Sequence, residues 1–130
     1  MKTNRDSLKI LIVDDEPDLC WSMEEFLRHE GHEVKRAESG KEARDMLQSK
    51  SFDLAFVDIR LLDDNGLGIA DLIKHRNPHA EVILISGYYL PDEDSAGLKI
   101  TDKYKLITKP FDLDLIEQAV QRISRDKKSC

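Results

Sequence analysis

The sequence predicts an α/β fold, a doubly wound parallel sheet with helices on both of its faces. Three observations carry that expectation. Short apolar runs such as Leu11-Ile12-Val13, Ala55-Phe56-Val57 and Val82-Ile83-Leu84 read as strands. They alternate with stretches of helical periodicity, and strands alternating with helices of this length return to one sheet by right-handed crossovers. Four of the runs also end on polar groups: Asp14-Asp15, Asp58, Ser86 and Lys109-Pro110. Residues just past the carboxyl ends of parallel strands converge in one crevice, so these groups are expected to share a pocket.

Leu8 to Val13 is the first strand. Pro17 then sits where a first helical position tolerates a missing N–H, and Leu19, Met23, Phe26 and Leu27 fall on one face before Gly31, a C-terminal cap. A brief strand surrounds Val34. Ser39 and Glu42 form a capping-box pattern ahead of Ala43, Met46 and Leu47, which recur at helical spacing. Leu54 to Val57 is the third strand and leads into Asp58. After a polar loop, Gly66 opens a helix carrying Ile69, Ala70 and Ile73, and Asn77-Pro78 stops it. Val82 to Ile85 is the fourth strand and Leu106-Ile107 the fifth. Asp112 caps a last helix with Leu115, Ala119, Val120 and Ile123 on one side. The fourth unit is the weak one, because Pro91 to Gly97 offers caps and acids but few apolar anchors; a short or mobile helix is expected there.

The 130 residues are 40% hydrophobic and contain no run long enough to span a membrane, which fits one globular domain over 1–130. Its core is expected over about 8–123, with 124–130 a tail or the start of a linker. A domain of this size buries roughly two-thirds of its unfolded surface and needs no disulfide or structural metal. Cys20 and Cys130 are unmatched, and Met1 to Ser7 has no apolar targeting core, so a reducing cytoplasm is expected. With 26 acidic and 20 basic side chains the net charge is −6, which argues against direct nucleic-acid binding by this domain. The short basic stretch Arg125 to Lys128 reads as a solvated tail.

Three acids, one alcohol and one amine in a pocket suit a phosphoryl group and a divalent cation. Two carboxylates 4 Å apart repel by about 4 kcal/mol at an effective dielectric near 20, and a dication with oxygen preference reverses that penalty. Asp58 would then be an oxygen nucleophile, and Lys109 a compact positive charge. Each residue alone is ordinary: an Asp at a strand end caps a turn or helix, Ser86-Gly87 is turn chemistry, and Lys109-Pro110 is a strand exit. The pocket reading rests on their joint occurrence at four strand ends. His29, His32, His75 and His79 are expected at solvated positions; Pro78 breaks the helix between the last two, which disfavours a zinc pair.

Carried by Asp14-Asp15-Glu16, Asp58 within Phe-Val-Asp-Ile-Arg-Leu, Gly66, Ser86-Gly87 and Thr108-Lys109-Pro110-Phe111, the chain resembles the receiver domain of two-component response regulators from Leu8 to about Ile123. Ile-Val-Asp-Asp-Glu, Asp-Ile-Arg-Leu and the acidic first helix look most like the nitrogen-regulation branch, which drives transcription through attached domains. The resemblance implies a flavodoxin-like (βα)5 fold with strand order 2-1-3-4-5. It implies that Asp58 accepts a phosphoryl group from a sensor histidine kinase or phosphotransfer protein, the domain catalysing only its own phosphoryl transfer and dephosphorylation. It also implies Mg2+ (or Mn2+) held by Asp15, Asp58 and the backbone carbonyl of Arg60, with Asp14 acting through water. Lys109 takes the place of the phosphate-contacting lysine and Ser86 that of the switch residue; a homodimer on phosphorylation belongs to the same expectation.

Two departures matter. Leu62 stands where the family's loop after the acceptor has proline, so a less rigid loop is expected. Leu106 stands where an aromatic rotates inward as Ser86 closes on the phosphate, which leaves Tyr88 or Tyr89 as the moving aromatic or as mere cover. Competing readings are an aspartate-nucleophile Mg-dependent phosphohydrolase and a receiver-like interaction module that is never phosphorylated. The first lacks its second Asp two residues past the nucleophile, since Asp14 is followed by Asp15-Glu16-Pro17; the complete acidic set argues against the second. A flavin carrier lacks its phosphate cradle after strand one.

Overall fold

The computed structural model describes residues 7–87, 104–109 and 111–129. The expected helix between Pro91 and Asp102, the pair Tyr88 and Tyr89, and Pro110 lie outside the described residues. The elements are β1 (Lys9–Val13), α1 (Pro17–His29), β2 (Glu33–Ala37), α2 (Gly40–Leu47), β3 (Leu54–Asp58), α3 (Gly66–Arg76), β4 (Glu81–Ser86), β5 (Lys105–Thr108) and α4 (Leu113–Ser129). All strand pairs are parallel and the order is β2-β1-β3-β4-β5, as the resemblance implies.

Side chains of a strand alternate between faces, and here that alternation sorts the core into two layers. Leu11, Val13, Ala55, Val57, Val82 and Leu84 pack with Ala43 and Leu47 of α2 and Ile69 and Ile73 of α3. Ile10, Ile12, Leu54, Phe56, Ile83 and Ile85 pack with Cys20, Met23 and Leu27 of α1 and Ile116 and Val120 of α4. The central strand β3 is buried along its whole length, so its apolar run needs no polar alternation. The edge strand β2 pairs only with β1 and carries Glu33, Lys35 and Arg36 between buried Val34 and Ala37.

Local chemistry places the helix ends. Pro17 occupies the first turn of α1, and Gly31 follows that helix at φ 97°, the left-handed region that glycine enters without a Cβ penalty. Ser39 Oγ accepts the Glu42 N–H at 3.1 Å, while the Glu42 carboxylate reaches one residue further back, to the Glu38 N–H at 2.7 Å. Asn65 Oδ1 caps α3 by accepting from Leu67 N–H at 2.8 Å, and Asp112 accepts from Leu115 N–H at the start of α4. One expectation fails: His32 is buried, because its Nδ1 accepts the Leu8 N–H at 3.0 Å where β1 begins. Hydrophobic patterning counts a histidine as polar and does not register such a backbone partner.

Gly66 is required by close approach. A Cβ there would lie 2.0 Å from the Asp58 carbonyl oxygen, whereas one at Gly68 would meet only the far end of Arg44 at 3.1 Å. Gly66→Ala is therefore expected to destabilise by about 3 kcal/mol through overpacking against backbone. Gly68→Ala is expected to be neutral or stabilising by up to about 1 kcal/mol from helix propensity. Urea unfolding of both variants checks the contrast; equal midpoints would contradict it.

Candidate functional site

Strand register brings the candidate residues together. Val13 pairs with Val57, so Asp14, one residue on, comes beside Asp58. Asp58 pairs with Ile85, Ser86 pairs with Thr108, and the Lys109 N–H donates to the Ser86 carbonyl at 2.7 Å. Alternation sets the facing. Asp14 follows Ile12, Asp58 follows Phe56 and Lys109 follows Ile107 at a two-residue step, and all three predecessors belong to the α1/α4 layer. On β4 the same face runs from Ile85, the register partner of Asp58, to Gly87, which lies beside Lys109. A Cβ there would touch Lys109 Cδ at 3.8 Å, so a bulky side chain would obstruct the lysine on its way across β4 toward β3.

Lys109 makes that crossing. Its Nζ lies 3.0 Å from Asp58 Oδ2 and 3.0 Å from Asp14 Oδ2, and it also donates to Glu16 Oε1. Burial opposes the lysine's charge, but the hydrogen bonds it donates to the carboxylates outweigh that and hold the ammonium well above the usual lysine range. Asp14 is fully buried, and burial raises its carboxyl above the ordinary value despite the Glu16 N–H, which donates to Oδ1 at 2.9 Å, and despite Lys109. Its Oδ2 has the ammonium as a charge partner but no aligned hydrogen bond. Cys20 anchors the same corner: its Sγ donates to the Asp14 carbonyl at 3.0 Å, and burial pushes the thiol up to about 12.

Asp58 Oδ1 accepts the Arg60 N–H at 2.8 Å, which leaves Oδ2 facing Lys109 and the pocket. The loop from Ile59 to Asn65 is closed at its neck by the Arg60–Asn65 bridge and the Gly66 N–H to the Ile59 carbonyl at 2.8 Å. Asp15, expected as a metal ligand, accepts the Leu62 N–H on Oδ2 at 2.9 Å. Leu62, 94% exposed, thus ties the loop to Asp15 through an amide that proline would lack. Ser86 is buried at the end of β4, and Leu106 is half-buried against the α2/α3 layer. Tyr88 lies outside the described residues.

Among the described residues, one group of acids has ligand spacing. Asp14, Glu16 and Asp58 each place a carboxylate oxygen within 4.8 Å of the others. Glu16 was missed from the sequence as a site residue; its signal was its place directly after the acidic pair. Hard oxygen donors, excess negative charge and the unaligned Asp14 Oδ2 fit a small divalent cation. His75 and His79 are exposed and join no such group.

A family model described as the response regulator receiver domain matches residues 10–121. Response regulator protein PilR of Pseudomonas aeruginosa is 37% identical over 112 residues, 86% of this chain but 25% of PilR, so the chain spans a quarter of that relative. Among solved structures, response regulator TrrA from Thermotoga maritima in complex with Mg2+-BeF is 30% identical. It matches at a TM-score of 0.73 over 88% of this chain and 97% of its own. NtrX from Brucella abortus in complex with ATP matches at 0.78 and 30% identity, over 93% of this chain and 28% of NtrX. These likenesses are consistent with the nitrogen-regulation branch and favour neither competing reading.

Removing Lys109 would leave three carboxylates around one another. Lys109→Met is expected to destabilise at pH 7 by roughly 3 kcal/mol, the cost of stripping a buried charge of its partner. The sign with pH follows from Asp14. Its folded carboxyl is already raised, and loss of the ammonium raises it further, so the native state holds a proton that the unfolded state releases above about 3.8. The penalty therefore shrinks as pH falls toward 5 and grows as pH rises. Urea unfolding at both pH values checks this; a larger penalty at pH 5 would contradict it.

Proposed function

The chain belongs to the response regulator receiver domain family, and from that premise we propose that Asp58 is its phosphoacceptor, Lys109 its phosphate-contacting cation and Ser86 the hydroxyl that reads the product. The observation that carries the reading is the convergence of Asp14, Asp58 and Lys109, from three strand ends, on one ammonium. Asp58 Oδ2 attacks phosphorus as the bond from phosphorus to the donor histidine's ring nitrogen breaks. That nitrogen keeps the bonding pair and takes a proton from solvent. Lys109, now beside Oδ2, transfers its donors to a phosphoryl oxygen, and the Ser86 hydroxyl donates to another. Water later hydrolyses the acyl phosphate, releasing inorganic phosphate and restoring the carboxylate.

Mg2+ (or Mn2+), when bound, neutralises the charge gathered by the acids and the phosphoryl group. Asp15, Asp58 and the Arg60 carbonyl would hold it, with Asp14 through water. Support for a cation beside Asp58 comes from the Asp14, Glu16 and Asp58 oxygens at ligand spacing, a group that does not include Asp15, and from the Mg2+-BeF complex of the relative TrrA. The partner is a sensor histidine kinase or phosphotransfer protein, and the phosphorylated domain pairs with a second copy. Among the described residues no helix is long and apolar enough to cross a membrane. PilR and NtrX are longer than this chain, so control of transcription would lie in segments other than this one.

Incubation with acetyl phosphate and Mg2+, followed by mapping of the acid-labile adduct, is expected to place the group on Asp58. Asp58→Asn should abolish labelling and Ser86→Ala should retain it; full labelling of Asp58→Asn would sink the assignment. Trp21, 57% exposed in α1 and the chain's single tryptophan, is the reporter for the metal. Its fluorescence is expected to titrate with Mg2+ before any phosphoryl donor is added, and Asp15→Ala to remove the response. An unchanged titration in that variant excludes Asp15 as a ligand.

A further inference from the structure

Beside the pocket, the loop after Asp58 is joined to a helix that takes no part in the chemistry. Asp63 accepts the first two backbone N–H groups of α2, Gly40 at 2.8 Å on Oδ1 and Lys41 at 3.1 Å on Oδ2. Those amides have no partner within the helix, and the dipole there favours a carboxylate, so a residue from a distant loop does the work of an N-terminal cap. Asp64 takes Arg44 of α2 in a two-point grip, Oδ2 from Nε at 2.7 Å and Oδ1 from an Nη at 3.1 Å. Both carboxyls are held below the usual range, Asp63 by the Gly40 and Lys41 amides and Asp64 by Arg44. Shape agrees with charge. A Cβ on Gly40 would lie 2.2 Å from Asp64 Cβ, so the loop seats against α2 only because its first residue has no side chain.

The same loop carries groups that reach the pocket from its other side. The Arg60 N–H orients Asp58 Oδ1, and the Leu62 N–H holds Asp15 Oδ2. Leu61 N–H donates to the Asp64 carbonyl at 3.2 Å, linking the pocket side of the loop to the α2 side. We infer that Asp63, Asp64 and Arg44 are positioning residues of the phosphoryl site, through which α2 holds the Arg60 and Leu62 amides in place over Asp58 and Asp15. The inference rests on the reading of Asp58 given above. It makes α2, rather than a rigid residue within the loop, the part that fixes the loop's geometry.

Exposed ion pairs contribute little to global stability, so the clamp can be broken without unfolding the domain. The test compares Asp63→Ala, Asp64→Ala and Arg44→Met, which remove the charges, with Gly40→Ala, which keeps every charge and displaces the loop by bulk. Amide exchange is read on metal-free protein, and Mg2+ is titrated through Trp21 fluorescence. In all four variants the amides of residues 60 to 62 are expected to exchange faster. The half-maximal Mg2+ concentration is expected to rise ~10-fold, the low end for loss of an outer partner of a metal site. Asp64→Ala combined with Arg44→Met should be no worse than Asp64→Ala alone, since both remove one contact. Unchanged loop exchange and an unchanged Mg2+ midpoint in the four variants would overturn the inference. So would a fall in urea midpoint that accounts for the faster exchange, which would make the clamp a general structural contact. Failure of the wild-type chain to take a phosphoryl group counts against the acceptor reading instead, and exchange in the metal-free variants still decides the clamp.

Discussion

Lys109 is the charge on which the pocket depends. Strand register forces Asp14 and Asp58 side by side at the carboxyl edge, and Glu16 adds a third carboxylate from the start of α1. At such separations each pair repels by a few kcal/mol at an effective dielectric near 20. One ammonium, delivered from two strands away, offsets that repulsion at three points. The arrangement therefore holds a site for positive charge in permanent use. Whatever dication or phosphoryl group enters must exchange contacts with the lysine rather than fill open space, and this couples occupancy of the pocket to the position of β5.

The delivery of that charge is a matter of parity. Ile10, Ile12 and Asp14 step along one face of β1, as Leu54, Phe56 and Asp58 do along β3, and Ile107 and Lys109 on β5. On β4 the same series runs Ile83, Ile85, Gly87. Lys109 stands one same-face step beyond Ile107, the residue level with Ile85 and Asp58, and β4 offers only Gly87 beside it, so the long side chain reaches back across that strand. The α1/α4 layer fixes the heights of these groups, because a one-residue slip of any strand would turn its polar end to the opposite face.

This explains how much was legible in the sequence. Strand ends, helix starts at Pro17, Ser39, Gly66 and Asp112, and the meeting of Asp14, Asp58 and Lys109 follow from periodicity and local capping chemistry, and the structure has them. The acidic group at ligand spacing follows only in part, since it contains Glu16 and Asp15 turns to Leu62. Those outcomes depend on side-chain directions and on backbone amides far away in sequence. The burial of His32 depends likewise on Leu8, 24 residues earlier. The hydrogen bonds that tie the loop after Asp58 to Asp15 and to α2 are invisible for the same reason, since no local pattern records them.

The edge strand β2 bears on how this molecule behaves at high concentration. Among the described residues no strand pairs with its outer side, and such an edge is the natural template for a strand from another chain. Glu33, Lys35 and Arg36 crowd five residues with charges of both signs, and Arg36 is further engaged with Glu24 of α1 at 3.4 Å. An incoming strand would have to desolvate those groups and match their order. Strand addition at this end of the sheet is thereby discouraged, which protects the folded domain from aggregating along this edge.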